Sequence, residues 1–336
     1  MQIPEHFHEC KFIHSLHHFK DEFNYICGRC PFVANSQANV GGCCHIWGEI
    51  RIKVAKNMTK KPIVALIYDF DGTLSPGNMQ EFGFIQTIGK TPEEFWRMSD
   101  NIAIGQDASN VLAYMKLMFD EAKASGIRLS RDEFKKFGKH IQLFDGVREW
   151  FSMVNSYGEY KGVKVEHYIN SSGLKEIIEG SPIAHEFKHI FAGTFIYDDA
   201  GEAEWPGIAV DYTAKTQFLF KISKGIFSAR DNKKVNDSIS EDKKRIPFPH
   251  MIYFGDGQTD VPCMKIVNMF GGHSIAVYDP SNETKIAVAQ KLHRQGRVNF
   301  VTPALYTRES RSFRIVCSII DKIKADNDLQ ILASGC

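Results

Sequence analysis

The sequence predicts an α/β protein, with an open parallel sheet flanked by helices and a helical cap inserted after the first strand. Three observations carry this. Continuous apolar runs recur along the chain, the first being Ile63-Val64-Ala65-Leu66-Ile67-Tyr68, and unbroken runs of this length mark strands covered on both faces. Helical stretches separate the runs, the order expected of parallel strands joined by crossovers. The segment after the first strand is long and reads as several consecutive helices, enough for a small module.

Each element has its own signature. After the first strand, Thr91-Pro92-Glu93-Glu94 combines a capping box with proline at the first helical position. Residues 107–125 form a second helix, with Val111, Leu112, Met115 and Met118 at three- and four-residue spacing and Gly126 as its stop. Ser130-Arg131-Asp132-Glu133 opens a third with another capping box. A more polar strand follows at 163–169, and Met251-Ile252-Tyr253-Phe254 and Ser274-Ile275-Ala276-Val277-Tyr278 supply two further buried ones. Residues 231–245 are charged and poor in apolar side chains, so they read as a solvated loop. The core is expected to comprise residues 58–82 and 145–336, and the cap residues 83–144.

The chain has 336 residues, which suits one large domain or two ordinary ones. Lysines and arginines number 41 against 40 acids, a net charge of +1, so no overall field favours nucleic acid or an anionic membrane. No apolar run approaches the roughly 20 residues of a bilayer span, and no basic-then-apolar leader opens the chain. The expectation is a cytoplasmic protein with no membrane or nucleic-acid partner; the oligomeric state stays open.

Of the eight cysteines, Cys10, Cys27, Cys30, Cys43 and Cys44 precede Met58, while Cys263, Cys317 and Cys336 are far apart. This spread is not the disulfide framework of a small secreted domain. Residues 1–57 lack a helical or strand period and read as an N-terminal extension. Cys27, Cys30, Cys43, Cys44 and His45 form a weak zinc-site candidate within it.

The chemistry lies where strands end. The first apolar strand runs into Asp69-Phe70-Asp71-Gly72-Thr73, and the strand at 251–254 into Gly255-Asp256-Gly257-Gln258-Thr259-Asp260. Parallel strands gather their carboxyl ends at one edge, so these acids should converge there. Two like charges about 4 Å apart repel by roughly 4 kcal/mol at an effective dielectric near 20. Several acids at one edge therefore imply shifted pKa values or a divalent cation, and an oxygen site of few ligands suits Mg²⁺. The strand at 163–169 ends in Asn170-Ser171-Ser172-Gly173 before a helix, a turn suited to holding phosphoryl oxygens.

Asp-Phe-Asp-Gly-Thr after an apolar strand, with a later Gly-Asp-Gly-x-x-Asp, resembles the haloacid dehalogenase superfamily, over residues 62–318. The resemblance implies a Rossmann-like core and a phosphohydrolase activity. It makes Asp69 the nucleophile that forms an aspartyl-phosphate, and Asp71 the acid that protonates the leaving oxygen and then activates water. Ser171, or the adjacent Ser172, with Gly173 would bind phosphate. Lys215 would neutralise charge on Asp69 and the phosphoryl group, with Lys221 and Lys224 as rivals. Asp69, the Asp71 carbonyl and Asp256 would hold Mg²⁺. Asp260 would orient Lys215 or a metal-bound water, or merely cap the following helix, and Thr73 would orient the loop or Asp71.

Dehalogenases lack the second acid of the first motif and transport ATPases carry Thr there, so Asp71 points to a phosphatase or phosphotransferase acting on a small phosphorylated metabolite. A non-catalytic binding module of the same fold is the alternative from another class. The helical insert resembles the cap of phosphoserine phosphatase-like members, and residues 191–205, with a turn near Asp199-Ala200-Gly201, resemble their hairpin. Those enzymes place an acid soon after the nucleophile to hold the substrate amine. Here residues 75–80 carry none before Glu81, which argues against phosphoserine. Phe95 and Trp96 are candidate pocket aromatics.

Overall fold

The computed structural model describes residues 61–334. The expectations for residues 1–57, including the cysteine and histidine ligands, lie outside the described residues.

Strand β1 (Ile63–Tyr68) is central. Its alternate residues feed two separate cores: Val64, Leu66 and Tyr68 face one layer, Ala65 and Ile67 the other. That is why the run is apolar without alternation. The sheet has seven strands in the order β4-β3-β2-β1-β5-β6-β7. Strand β1 pairs in parallel with β2 (Lys164–Leu174) and β5 (Met251–Gly255). Strand β3 (Phe187–Tyr197) pairs in parallel with β2, and β4 (Ala203–Ile208) closes that edge antiparallel to β3. At the other edge β6 (His273–Tyr278) and β7 (Phe300–Pro303) continue the parallel order.

Between β1 and β2 lie α1 (Phe84–Thr87), α2 (Pro92–Gln106), α3 (Asn110–Ala124) and α4 (Arg131–Gly138), followed by α5 (Val147–Tyr160). The capping box of α2 is formed: Glu94 N–H donates to the Thr91 hydroxyl at 3.2 Å and Thr91 N–H to the Glu94 carboxylate at 3.0 Å. The second helix starts later than its apolar spacing suggests. Asp107 is left-handed and terminates α2, and Ser109 caps α3. Leu112 faces outward, while Val111, Met115 and Met118 are buried. Ser130 caps α4 through Glu133 N–H, with no reciprocal bond from the Glu133 side chain.

The remaining helices are α6 (Lys175–Glu179), α7 (Ala214–Lys224), α8 (Asn232–Asn236), α9 (Val261–Met269), α10 (Glu283–Arg294) and α11 (Arg311–Ser334). Helices α5 and α11 contribute to one core and α7, α9 and α10 to the other. The solvated stretch at 231–245 carries α8 and one short 3-10 turn. The hairpin is longer than residues 191–205. Its turn is fixed by Asp198, whose carboxylate accepts from Ala200 N–H and Glu202 N–H, with Gly201 at φ 77°.

Two features tie the layers together. Trp150 on α5 donates its indole N–H to the Tyr68 hydroxyl (2.8 Å), which donates to His167 Nδ1 (3.0 Å). His167 Nε2–H in turn donates to Asn155 Oδ1 (3.0 Å). The buried imidazole is thereby satisfied as the neutral form, and burial pushes its pKa down to about 3. Helices α4 and α6 meet at Gly138 and Gly180. A Cβ on Gly180 would lie 1.9 Å from the Lys135 carbonyl oxygen, and one on Gly138 2.1 Å from that of Ile177.

Among the described residues no helix is long and apolar enough to cross a membrane.

Candidate active site

The carboxyl ends of β1 and β5 sit side by side, with Tyr68 paired to Phe254, so the residue after β1 and the one after β5 face each other. Asp69, Asp256 and Asp260 are all buried, and each offers a carboxylate oxygen within 4.8 Å of the others. Gly72 makes this approach possible. Its φ is 72°, and a Cβ there would stand 2.3 Å from Asp256 Oδ2, so both the turn and the contact require glycine.

Lys215, on the first turn of α7, is fully buried. Its ammonium donates to Asp69 Oδ2 at 2.7 Å and to Asp260 Oδ1 at 2.8 Å. Lys221 and Lys224, the rival lysines, point elsewhere. Lys221 donates to the carbonyls of Ser228 and Ala229, and Lys224 to those of Val235 and Asp237. Asp260 also accepts the Tyr253 hydroxyl at 2.8 Å. It stands at the N-cap position of α9 without a side-chain cap bond, so its carboxylate serves Lys215 and not the helix.

Burial raises the Asp69 carboxyl first, and the Asp260 charge raises it further. Lys215 opposes both, and the balance lies at about 7. Asp71 is pushed well above the usual range by burial and by the charge on Asp69, although its Oδ1 accepts Met79 N–H at 2.9 Å. Asp256 is raised by burial, against the pull of the Lys285 ammonium. Lys215 is pushed up by Asp260 and Asp69 in spite of burial, which alone would lower it. Three hard carboxylates this close, on Asp69, Asp256 and Asp260, match the donor set of a small divalent cation. The residues therefore fit Mg²⁺.

Ser171, Ser172 and Gly173 are part of β2 itself, not of a turn beyond it. The strand runs to Leu174 because its pairing with β3 resumes after an irregularity between Asn170 and Leu174. The Ser171 hydroxyl accepts Gly173 N–H at 3.0 Å. The Ser172 hydroxyl is buried without a partner, and its carbonyl accepts the Tyr114 hydroxyl at 2.7 Å. Thr73 is buried with its hydroxyl unpaired. Its carbonyl accepts the Tyr306 hydroxyl at 2.6 Å, so the loop is held through Thr73's main chain, with no side-chain bond to Asp71.

These residues open on a cavity of about 520 Å³ whose walls include Asp69, Asp71, Ser171, Ser172, Gly173 and Asp256. From the insert, Trp96 and Tyr114 complete the wall, whereas Phe95 packs in the core. Trp96 donates its indole N–H to the Glu81 carboxylate at 2.7 Å, which Asn78 also holds at 2.7 Å. Lys285, on α10, was not among the expected site residues, and its ammonium donates to Asp256 Oδ2 at 2.6 Å. A lone lysine far along the chain in an ordinary helix has no spacing signal that distinguishes it.

A sequence relative, an uncharacterized protein of Borreliella burgdorferi, is 28% identical over 282 residues, covering 76% of this chain and 95% of the relative. Among solved structures, a substrate-bound phosphoserine phosphatase aligns with a TM-score of 0.46 at 16% identity, covering 74% of this chain and 95% of that one. A probable phosphoserine phosphatase of Vibrio cholerae aligns at 0.49 with 12% identity, over 80% and 67% of the two chains. The sequence profile of the haloacid dehalogenase-like hydrolases matches residues 66–265, more than half of the chain, and spans Asp69, Lys215 and Asp256. The chain belongs to the haloacid dehalogenase-like hydrolases.

Proposed function

We propose that the protein is a Mg²⁺-dependent phosphatase that hydrolyses a small phosphomonoester through an aspartyl-phosphate on Asp69. The observation that carries this reading is the fully buried Lys215 ammonium, 2.7 Å from Asp69 and 2.8 Å from Asp260, beside Asp256 at the end of the adjacent strand. A carboxylate meant only for packing would not be buried against two others, with one fully buried lysine bonded to two of the three.

The steps follow from the residues. A substrate phosphoryl group enters over Asp69, with Ser171 and Ser172 offering hydroxyl protons to its oxygens. The Asp69 carboxylate forms the new bond to phosphorus as the ester oxygen departs. Asp71, whose carboxyl pKa is raised by burial and by the charge on Asp69, gives that oxygen its proton. Water then attacks the acyl-phosphate and passes its proton to Asp71, which restores both carboxyl groups. Lys215 offsets negative charge throughout. Splitting one difficult displacement into two is the benefit of the covalent step.

Asp69, the Asp71 carbonyl and Asp256 would hold Mg²⁺. When bound, the ion would neutralise charge on the transferring phosphoryl group. Helices α1 to α4, our proposed cap, would close over the cavity and exclude water. The test is a screen of phosphorylated metabolites with Mg²⁺, comparing the native chain with Asp69→Asn. The expected result is hydrolysis of at least one compound, abolished by the substitution and by chelation. Activity surviving in Asp69→Asn refutes the nucleophile. Transfer of phosphate to added alcohols in preference to water would establish the phosphotransferase alternative.

A further inference from the structure

The wall of the active-site cavity carries five acids, Asp69, Asp71, Glu81, Asp256 and Asp279, and among the described residues one cation, Lys285. Lys215 lies close by but is fully buried and committed to Asp69 and Asp260. A dianionic phosphate entering this cavity therefore meets strong negative potential. Apart from a bound metal, Lys285 is the one positively charged side chain on the described wall that can answer it, beside the neutral hydroxyls of Ser171 and Ser172.

Lys285 is placed unusually for a helix lysine. It sits in the first turn of α10, its main-chain N–H held by the Asn282 side chain at 3.1 Å. A cation there faces the positive end of the helix dipole, and Asp256 offsets that penalty. The ammonium sits 2.6 Å from Asp256 Oδ2, with the lysine side chain 45% exposed and that of Asp256 9%. The contrast with Lys215, whose side chain is 0% exposed, decides what each can do. Lys215 cannot leave its carboxylates without stranding a buried charge. Lys285 can, because its half-exposed ammonium regains water on release, and a divalent cation can then take its place at the buried Asp256 carboxylate. Two cations sharing Asp256 also repel each other.

We propose that Lys285 is a tethered counter-cation of Asp256: it competes with the divalent metal for this carboxylate and, once displaced, holds an anionic oxygen of the substrate. This rests on the metal-dependent phosphatase reading above. It predicts two effects of opposite sign when the ammonium is removed. Losing the competitor tightens metal binding, and losing the wall's cation weakens phosphate binding. A lysine that merely orients Asp256 for the metal would weaken metal binding instead.

The experiment is calorimetric titration of the full chain with MgCl₂ in the absence of substrate, then with inorganic phosphate at saturating Mg²⁺. Lys285→Met is expected to bind Mg²⁺ about fivefold more tightly and phosphate about fivefold more weakly, each equivalent to about 1 kcal/mol. Lys285→Arg keeps the charge and should stay near the parent values in both titrations. Mg²⁺ affinity unchanged or weakened in Lys285→Met, or phosphate affinity unchanged, overturns the proposal. A parent chain that binds no Mg²⁺ refutes the metal reading itself, and so separates that failure from this one.

Discussion

Replacing Lys215 by Met is the most informative single perturbation of this site. The methionine fills much of the lysine's volume, so the change is chiefly one of charge. Asp69 and Asp260, with carboxylate oxygens within 4.8 Å, would lose the ammonium that now bonds to both at 2.7 and 2.8 Å. Their mutual repulsion alone is about 3 kcal/mol at an effective dielectric near 20. Breaking a buried ion pair by removing one partner typically costs 3–5 kcal/mol. The variant should therefore unfold about 3–5 kcal/mol more easily in urea and melt roughly 10 °C lower in metal-free buffer. Adding Asp260→Asn to the same chain removes one of the stranded charges, while the asparagine oxygen can still accept the Tyr253 hydroxyl. The double variant should recover more than half of the lost stability but none of the activity, because the phosphoryl group still lacks its ammonium. Lys215→Met alone should lower turnover by about 10²–10³. If Lys215→Met is as stable as the parent, or if the two substitutions simply add, the electrostatic account of this cluster is wrong.

Two other outcomes can be checked by unfolding alone. Gly180→Ala puts a methyl 1.9 Å from the Lys135 carbonyl oxygen, so α4 and α6 must separate; a loss of about 1–3 kcal/mol is expected, and unchanged urea stability would show the contact to be slack. His167 has its pKa pushed down to about 3 by burial, against about 6.5 in the unfolded chain. Below pH 6.5 the unfolded chain takes up a proton that the folded one refuses, so stability falls as pH falls. Between pH 7 and 4.5 the parent should lose about 2–3 kcal/mol more than a His167→Gln variant, and identical pH dependence of the two would refute the assignment.

The strand ends were legible because their chemistry is local. Unbroken apolar runs located β1, β5 and β6, and the acidic residues that follow the first two need only the parallel topology to meet. Lys215 was identifiable by order and by its place at a helix start, although nothing in the sequence separated it decisively from Lys221 and Lys224; only the fold shows those two capping a loop with their ammonium groups. The edge strands β4 and β7 were harder to see. Strand β7 has four residues, and β4 alternates with Pro206 and Gly207 inside it, so neither offers a clean period. The extension of β2 through Ser171–Gly173 was hidden because small polar residues have low strand propensity and are held there by pairing with β3. Lys285 and Tyr114 reach the site only through packing of whole helices, which leaves no trace in local spacing.

The glycine crossing of α4 and α6 limits how the cap proposed above could travel. Helix α4 is pressed onto α6 with backbone against backbone, pinned by Arg131 to Glu176 at 3.0 Å and by Lys135 to Glu179 at 3.3 Å, and stitched to the hairpin through the Ala203 N–H bond to the Leu129 carbonyl. It behaves as a fixed jamb. In the cap proposed above, a swing that admits substrate is then left to α2 and α3, and it must break the Tyr114 hydroxyl bond to the Ser172 carbonyl at 2.7 Å and the Ser109 bond to Asp211 at 3.2 Å while α4 stays put.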